Sequence, residues 1–461
     1  MKQLDGFFPL LLTSENCHIA RERRIYMDDT KKKTLEFLSP VEIAKGKIQY
    51  AQAIKAGNWI FATGHMATDF KQGLSPEVHN PRLPRSGKPK NEKETDFIFN
   101  RLKSLLSSAG SGMSNVVRVD QYYTTWKAVD PYHVGRKAAF GDYIPPSTSI
   151  LQKGLLIDNA DIEVEMIAVV PSEDFSVEAI KPPEIDAPAS SGYAPAVRAG
   201  DFIFVAGMMA TSGKGRNECI PPEARPVPGY LWRGKQIKLE TEYIIKHRLE
   251  PALRASGSSL GNIVKAQVYM RDIEDFPAFR EVWNKYFPEN PPVTTLIPTA
   301  TPGFAISEAA IEITVLALAD GGKTKKEIIK HDVFTGYEDQ TVAIRAGDLL
   351  FITGLMAADE NGLAPGCEID PRQPYFGSSA QCQMEHILNN AEKICQAAGT
   401  SLKNVVRIQQ FHTDLNEFYP AYQSWQNCLP GQALPFSAVE VPAPLPIPGC
   451  TILTDLWVYA P

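Results

Sequence analysis

Three arginines share one register in this chain. Arg82, Arg225 and Arg372 each stand 18 residues beyond a glycine that closes an apolar run, namely Gly64, Gly207 and Gly354. Prolines flank all three (NPRLP, EARPVP, DPRQP), so each guanidinium is carried on a loop whose φ angles are restricted. Such a group could hold the anionic part of a small molecule across a cleft. It could equally brace its own loop or a contact between units, as most surface arginines do. His65 follows Gly64 where the other two runs continue with Met208 and Leu355. An imidazole there can titrate near neutrality and act as acid or base, or serve as a hydrogen-bonded structural group. No nucleophile elbow, phosphate loop, HExxH pair or dinucleotide fingerprint accompanies these residues, which weakens serine-hydrolase, NTPase, metalloprotease and dehydrogenase readings.

The elements that carry these residues repeat. Segments starting at Tyr50 (YAQAIKAGNWIFATGHMATD), Tyr193 (YAPAVRAGDFIFVAGMMATS) and Gln340 (QTVAIRAGDLLFITGLMAAD) align, with turn glycines Gly57, Gly200 and Gly347 spaced by 143 and 147 residues. A period of that length means repeated domains. In each copy a hairpin comes first and is followed by an apolar stripe at helical spacing: Ile98/Leu102/Leu105/Leu106, Ile245/Leu249/Ala252/Leu253 and Ile387/Ala391/Ile394/Cys395. Gly110, Gly257 and Gly399 are placed to end those helices in a left-handed cap. A strand, a second helix, a proline-marked strand and a last strand complete a ββαβαβ-like order, an α+β domain with helices on one sheet face. The expected domains are 39–171, 188–320 and 334–461, joined by linkers at Pro171 to Ser191 and Asp320 to Thr335 and preceded by an extension, 1–38. The charged stretch Arg21 to Lys33 in that extension reads as a solvated arm, with docking as the alternative.

At 461 residues, 44% hydrophobic and 22% charged, the chain has length for about three domains. Its net charge of -6 is spread without a basic stripe, which argues against nucleic acid and membrane surfaces as partners and leaves small molecules. Seven cysteines without a CxxC pair fit a reducing, cytoplasmic setting better than a disulfide framework or a zinc site. The run Phe7 to Leu12 is too short and too proline-broken for a signal peptide or a membrane span.

The pattern YxxAVRAGDxxFVxG, a helix ending in ASGSSL, and then NIVKAQVYMRDIEDFPAFREVW is similar to the Rid/YjgF family, formerly grouped with endoribonuclease L-PSP. The match is strongest in the second copy and covers nearly everything after residue 40. The resemblance implies three chorismate-mutase-like domains forming an intramolecular pseudo-trimer, with sheets inward, helices outward and small-molecule clefts between neighbours. It implies hydrolysis of enamines or imines by water, with no metal or cofactor. The chain departs from the deaminating branch at the arginine after the strand proline, where it has Thr148, Thr294 and Ser437. The water-positioning glutamate is matched in the first copy by Glu165, against Thr314 and Thr454 in the others. The family tyrosine is matched by Tyr50 and Tyr193 and replaced by Gln340; Tyr337 is near but out of register.

These residues lead to an expected site at one cleft, with Glu165, Thr148 and His65 as catalytic groups. Tyr50, Tyr193, Gly64 and the loop arginines Arg82, Arg225 and Arg372 are the expected substrate contacts. The expected activity is a cofactor-independent hydrolase or deaminase of a small nitrogenous metabolite. The alternative is a non-catalytic small-molecule binder or pathway-docking protein, and further association of the fused trimers is open.

Overall fold

The computed structural model describes residues 35–461 except 44–46, 72, 81, 84–86, 174, 186–191, 212–218, 230–231, 233, 337–339, 371 and 374. The arm Arg21 to Lys33 and Tyr337 lie outside the described residues.

Each copy builds one six-strand sheet in the same order. In the first copy the order is Leu35–Ile43, Ile48–Ala56, Trp59–His65, Ile162–Val169, Val116–Tyr123, Ser147–Leu151. The central strand pairs antiparallel with the last strand and parallel with the proline-marked one, and the same holds for Ile263–Met270 and Val405–His412 in the other copies. The leading strand is an addition to the expected ββαβαβ order. Val177–Ile180 and Lys326–Ile329, inside the segments read as linkers, pair antiparallel with the hairpins of copies two and three. These are short edge strands with exposed side chains, so they lack the buried alternation that marks a strand in sequence. The sheets therefore begin at Leu35, Val177 and Lys326, which shifts the expected starts at 39, 188 and 334.

The amphipathic helices lie where their stripes demand. All twelve stripe residues are buried, and Gly110, Gly257 and Gly399 end the helices with φ of 81°, 70° and 74°. In the second copy the helix widens to one i→i+5 turn, Ile245–Leu249, just before Pro251, whose ring has no N–H for the ladder.

The opposite sheet faces meet one another. A single apolar cluster draws on all three copies, with Trp59 and Phe61 of the first, Phe202 and Phe204 of the second, and Phe351 and Trp457 of the third. Trp59 meets Phe202 edge-on at 5.1 Å between centroids, and Phe61 meets Trp457 at 6.0 Å. Copy one also lends Gly154–Leu155 as an extra strand beside Phe436–Glu440 of copy three. The chain is a pseudo-trimer with sheets inward and helices outward.

Candidate active site

Two places in this architecture concentrate polar side chains among apolar walls: the axis where the copies meet, and the seams between them.

The axis holds an ionic lattice. Arg118, Lys265 and Arg407 share one register of the central strands, Asp120, Gln267 and Gln409 the next inward-facing one, and Glu165, Thr314 and Asp455 lie opposite the latter on the last strands. Arg118 Nε donates to Asp120 at 2.9 Å, and an Arg407 terminal nitrogen donates to Asp120 at 2.6 Å. Lys265 pairs with Asp455 at 2.8 Å. Glu165 belongs here. One oxygen accepts from Arg407 Nε at 3.1 Å and the other from Gln409 Nε2 at 2.7 Å, at 1% exposure. Both acceptor oxygens are thus engaged by copy three at the axis, away from the placement expected beside Thr148.

The seam between copies one and three contains a narrow cavity of about 20 Å³, room for about one water. Its carboxylate is Glu163, two residues earlier on the same strand and therefore on the same sheet face. Ser437 of copy three donates to Glu163 Oε1, while Oε2 is buried without a partner among the described residues. Burial, with some repulsion from Glu165, pushes the Glu163 carboxyl up to about 8, so it is mainly protonated at neutral pH. Tyr50 packs its ring 5.2 Å from Phe436 and 5.7 Å from Phe70, and its hydroxyl donates to the Thr63 carbonyl. Burial raises that phenol well above its ordinary range. Gly64 is what lets the two copies close. Its φ is 58°, and an added Cβ would lie 2.5 Å from the Phe436 carbonyl oxygen.

His65 does not face this cavity as a titrating group. Its Nε2 donates to the Gln52 carbonyl at 2.8 Å, and burial lowers its pKa to about 4, which keeps it neutral at pH 7. The expectation of an acid or base near neutrality is replaced by a structural role.

The second seam, between copies two and one, repeats the arrangement in part. Glu312 is buried and pushed up to about 8 by desolvation and by Asp120. A Cβ placed on Gly207 would lie 1.8 Å from Glu312 Oε1 and 3.1 Å from Thr148 Oγ1, so Thr148 serves this seam and not that of Glu163. Tyr193 lines a groove with Tyr143 and Ile144 of copy one. The third seam has Leu453 in the register of the carboxylate, and Gln340 donates to the Thr294 carbonyl at 3.0 Å.

The loop arginines stay outside the first cavity. Arg372 is bound to Asp370 at 2.7 Å with 88% of its side chain exposed, and Arg225 is bound to Glu308 at 2.6 Å. Arg82 is exposed, and its backbone N–H donates to Asn80 Oδ1 at 3.0 Å. None of them lines that cavity, which corrects the expected anchoring contacts there. Arg101, missed in sequence, packs on the cavity-lining Phe70. It donates to the Met66 carbonyl at 3.3 Å and to the Thr68 carbonyl, with its guanidinium 4.8 Å from the Phe70 ring and 4.7 Å from the Phe97 ring. Its position within a helical stripe of mixed polarity offered no signal. Glu163 and Glu312 did offer one: both follow an isoleucine at the start of the last strand, in IEVEMIAVV and IEITVLALA.

Among the described residues no group of three or more His, Cys, Asp or Glu could hold a metal ion, and no helix is long and apolar enough to cross a membrane.

Three fused α+β domains with clefts at the seams between unlike neighbours define the class. The chain belongs to the family described as Endoribonuclease L-PSP, whose profile matches residues 43–170, 184–319 and 329–452. It is 32% identical over 125 residues to a RutC family protein of Saccharolobus solfataricus, covering 27% of this chain and 85% of that one. It is 29% identical over 135 residues to the 3-aminoacrylate deaminase RutC of Acinetobacter baylyi, covering 29% and 93%. The crystal structure of yeast Mmf1 overlays 32% of this chain and 100% of its own, at 23% identity and a TM-score of 0.25.

Proposed function

We propose that the protein is a cofactor-independent hydrolase of a small nitrogenous metabolite, cleaving an imine or enamine C–N bond at the seam between copies one and three. The observation that carries this reading is the buried, unpartnered Oε2 of a Glu163 carboxyl held largely protonated in a cavity walled by two copies. A protonated carboxyl can donate to the imine nitrogen, and the resulting carboxylate can take the proton of a water adding to the carbon. Taking that proton restores the acid; the carbinolamine then collapses as the carboxyl protonates its nitrogen and takes back the hydroxyl proton, giving a carbonyl compound and ammonia. A relative named as an aminoacrylate deaminase supports this reaction class.

The test is ammonia release from enamines and imines generated in situ. Glu163→Gln is expected to lose about 10²–10⁴-fold in kcat. Turnover unchanged in that variant would sink the assignment.

A second reading, a binder without catalysis, is favoured at one seam only. The cleft of copies two and three has Leu453 where the others have a carboxylate, so it can contribute shape without an acid.

A further inference from the structure

Five of the seven cysteines lie in copy three. Three of them come from separate stretches of chain and meet around one side chain, Gln383. Cys382 precedes Gln383 in the first turn of the helix Ser379–Ala397. Gln383 Nε2 donates to the Cys367 carbonyl at 3.4 Å and to the Gly449 carbonyl at 3.3 Å. Its Oε1 accepts from the Thr451 N–H at 2.8 Å, so the chain is held on both sides of Cys450. The Cys367 thiol donates to the Cys382 carbonyl at 3.7 Å, and the Cys450 thiol to the Ala357 carbonyl at 3.5 Å. All three are free thiols; Cys367 and Cys450 are buried, whereas Cys382 is half-buried and meets solvent. Burial raises the Cys367 and Cys450 thiols, the latter to about 12, and a neighbouring thiol adds to each rise: Cys382 for Cys367, and Cys367 for Cys450.

The other copies place no cysteine at these registers. Cys367 stands 13 residues beyond Gly354, where Gly64 and Gly207 are followed at the same distance by Glu77 and Ile220. Glu94 and Glu240 accept from the Asp161 and Ala310 N–H groups as Gln383 does from Thr451. That puts Lys93 and Leu239 in the register of Cys382, and Ala160 and Ala309 in that of Cys450. The fold therefore asks for sulfur at none of the three positions, yet in one copy all three converge. Among the described residues the cluster is not arranged to hold a metal ion.

We propose that Cys367 and Cys382 form a reversible disulfide by exchange with a small-molecule disulfide such as glutathione disulfide. The Cys382 thiolate attacks one sulfur of the small disulfide, whose other half leaves as a thiolate and takes up the proton that Cys382 gave up. The Cys367 thiolate then attacks the Cys382 sulfur, and the second small thiol leaves with the proton from Cys367. Two protein thiols are oxidised to one disulfide, and one small disulfide is reduced to two thiols. Cys382 is the point of entry because it alone of the three meets solvent, and Cys367 resolves because its sulfur already lies against the Cys382 backbone. The bridge ties the segment carrying the exposed Arg372, Tyr375 and Phe376 to the start of its helix. The inference is independent of the hydrolase reading, and its test reads no turnover.

The test is peptide mapping of the full chain after incubation with glutathione disulfide, with the remaining thiols alkylated before tryptic digestion. Cleavage after Arg345, Arg372 and Lys393 puts Cys367 on peptide 346–372, Cys382 on 373–393 and Cys450 on another. The first two peptides are expected to be linked, and dithiothreitol to release them. Cys382→Ser is expected to lose the link and leave Cys367 unmodified, while Cys367→Ser is expected to trap Cys382 as its glutathione adduct. The exposed Cys219 reports that the reagent has acted. Cys219 modified while Cys367 and Cys382 both stay free would overturn the proposal, as would a link from Cys367 to Cys450.

Discussion

Two glutamates on one strand, two residues apart, have opposite fates. Glu165 is consumed by Arg407 and Gln409 on the axis, whereas Glu163 keeps one oxygen free in the seam cavity. Substituting each separates stability from chemistry. Glu165→Gln should lower unfolding free energy by about 1–3 kcal/mol in urea denaturation, because buried Arg407 loses one of its two carboxylate partners and keeps Asp120. Glu163→Gln should leave the fold intact and abolish ammonia release. Equal stability losses in the two variants would contradict this division. The pH profile follows from the same carboxyl: as the acid that donates to nitrogen, Glu163 is competent below its pKa, so kcat should decline as pH rises through about 8. A rate that climbs across that range would count against the protonated form. Sequence pattern put a carboxylate on this face of this strand but could not say which of two alternating positions meets the axis, because that depends on where the neighbouring copy lies.

At the scale of elements, helices and caps were legible because each helix carries an apolar stripe at helical spacing and stops at a glycine. The leading strands were not, since edge strands display polar residues and sit in proline- or lysine-rich segments. Nor could a glycine in a hairpin reveal that another copy's backbone rests on it. Gly64→Ala should therefore cost about 1–3 kcal/mol from the clash with Phe436, on top of about 1 kcal/mol from the left-handed backbone. Gly110→Ala meets only Val170 Cγ1 at 4.0 Å and should show the backbone cost alone. Denaturation midpoints of the two variants decide it, and equal losses would mean the seam does not close on Gly64.

The whole molecule should feel the seam carboxyls through pH. Glu163 and Glu312 have folded pKa values of about 8, raised by burial from an ordinary 4.5, so between those values the folded state binds more protons than the unfolded one. Stability from these groups is complete below pH 4.5 and is lost as pH rises toward 8. Glu94 and Glu240, at about 7, add to the same slope at lower pH. The buried His65 and His412 and the half-buried His133, at about 4, act oppositely but only below about 6.5. Unfolding free energy should thus decrease from pH 7 to 8, and Glu163→Gln should make that decline about half as steep. A flat or rising curve in the unmodified protein would contradict the burial of both carboxyls in neutral form.

The ionic lattice on the axis also decides which copies can stand together. Copy one brings Arg118, Asp120 and Glu165, copy two brings Lys265, and copy three brings Arg407 and Asp455. Three cations face three anions in this chain, and of the three copies only the third, with one of each sign, would balance if repeated. Three first copies would crowd a net charge of -3 into a dry centre, and three second copies +3, each an uncompensated burial of the kind that folding does not tolerate. Copies one and two have become non-interchangeable parts: a chain rebuilt with copy one in place of copy two should fail to fold, because its dry centre would hold an excess of two negative charges.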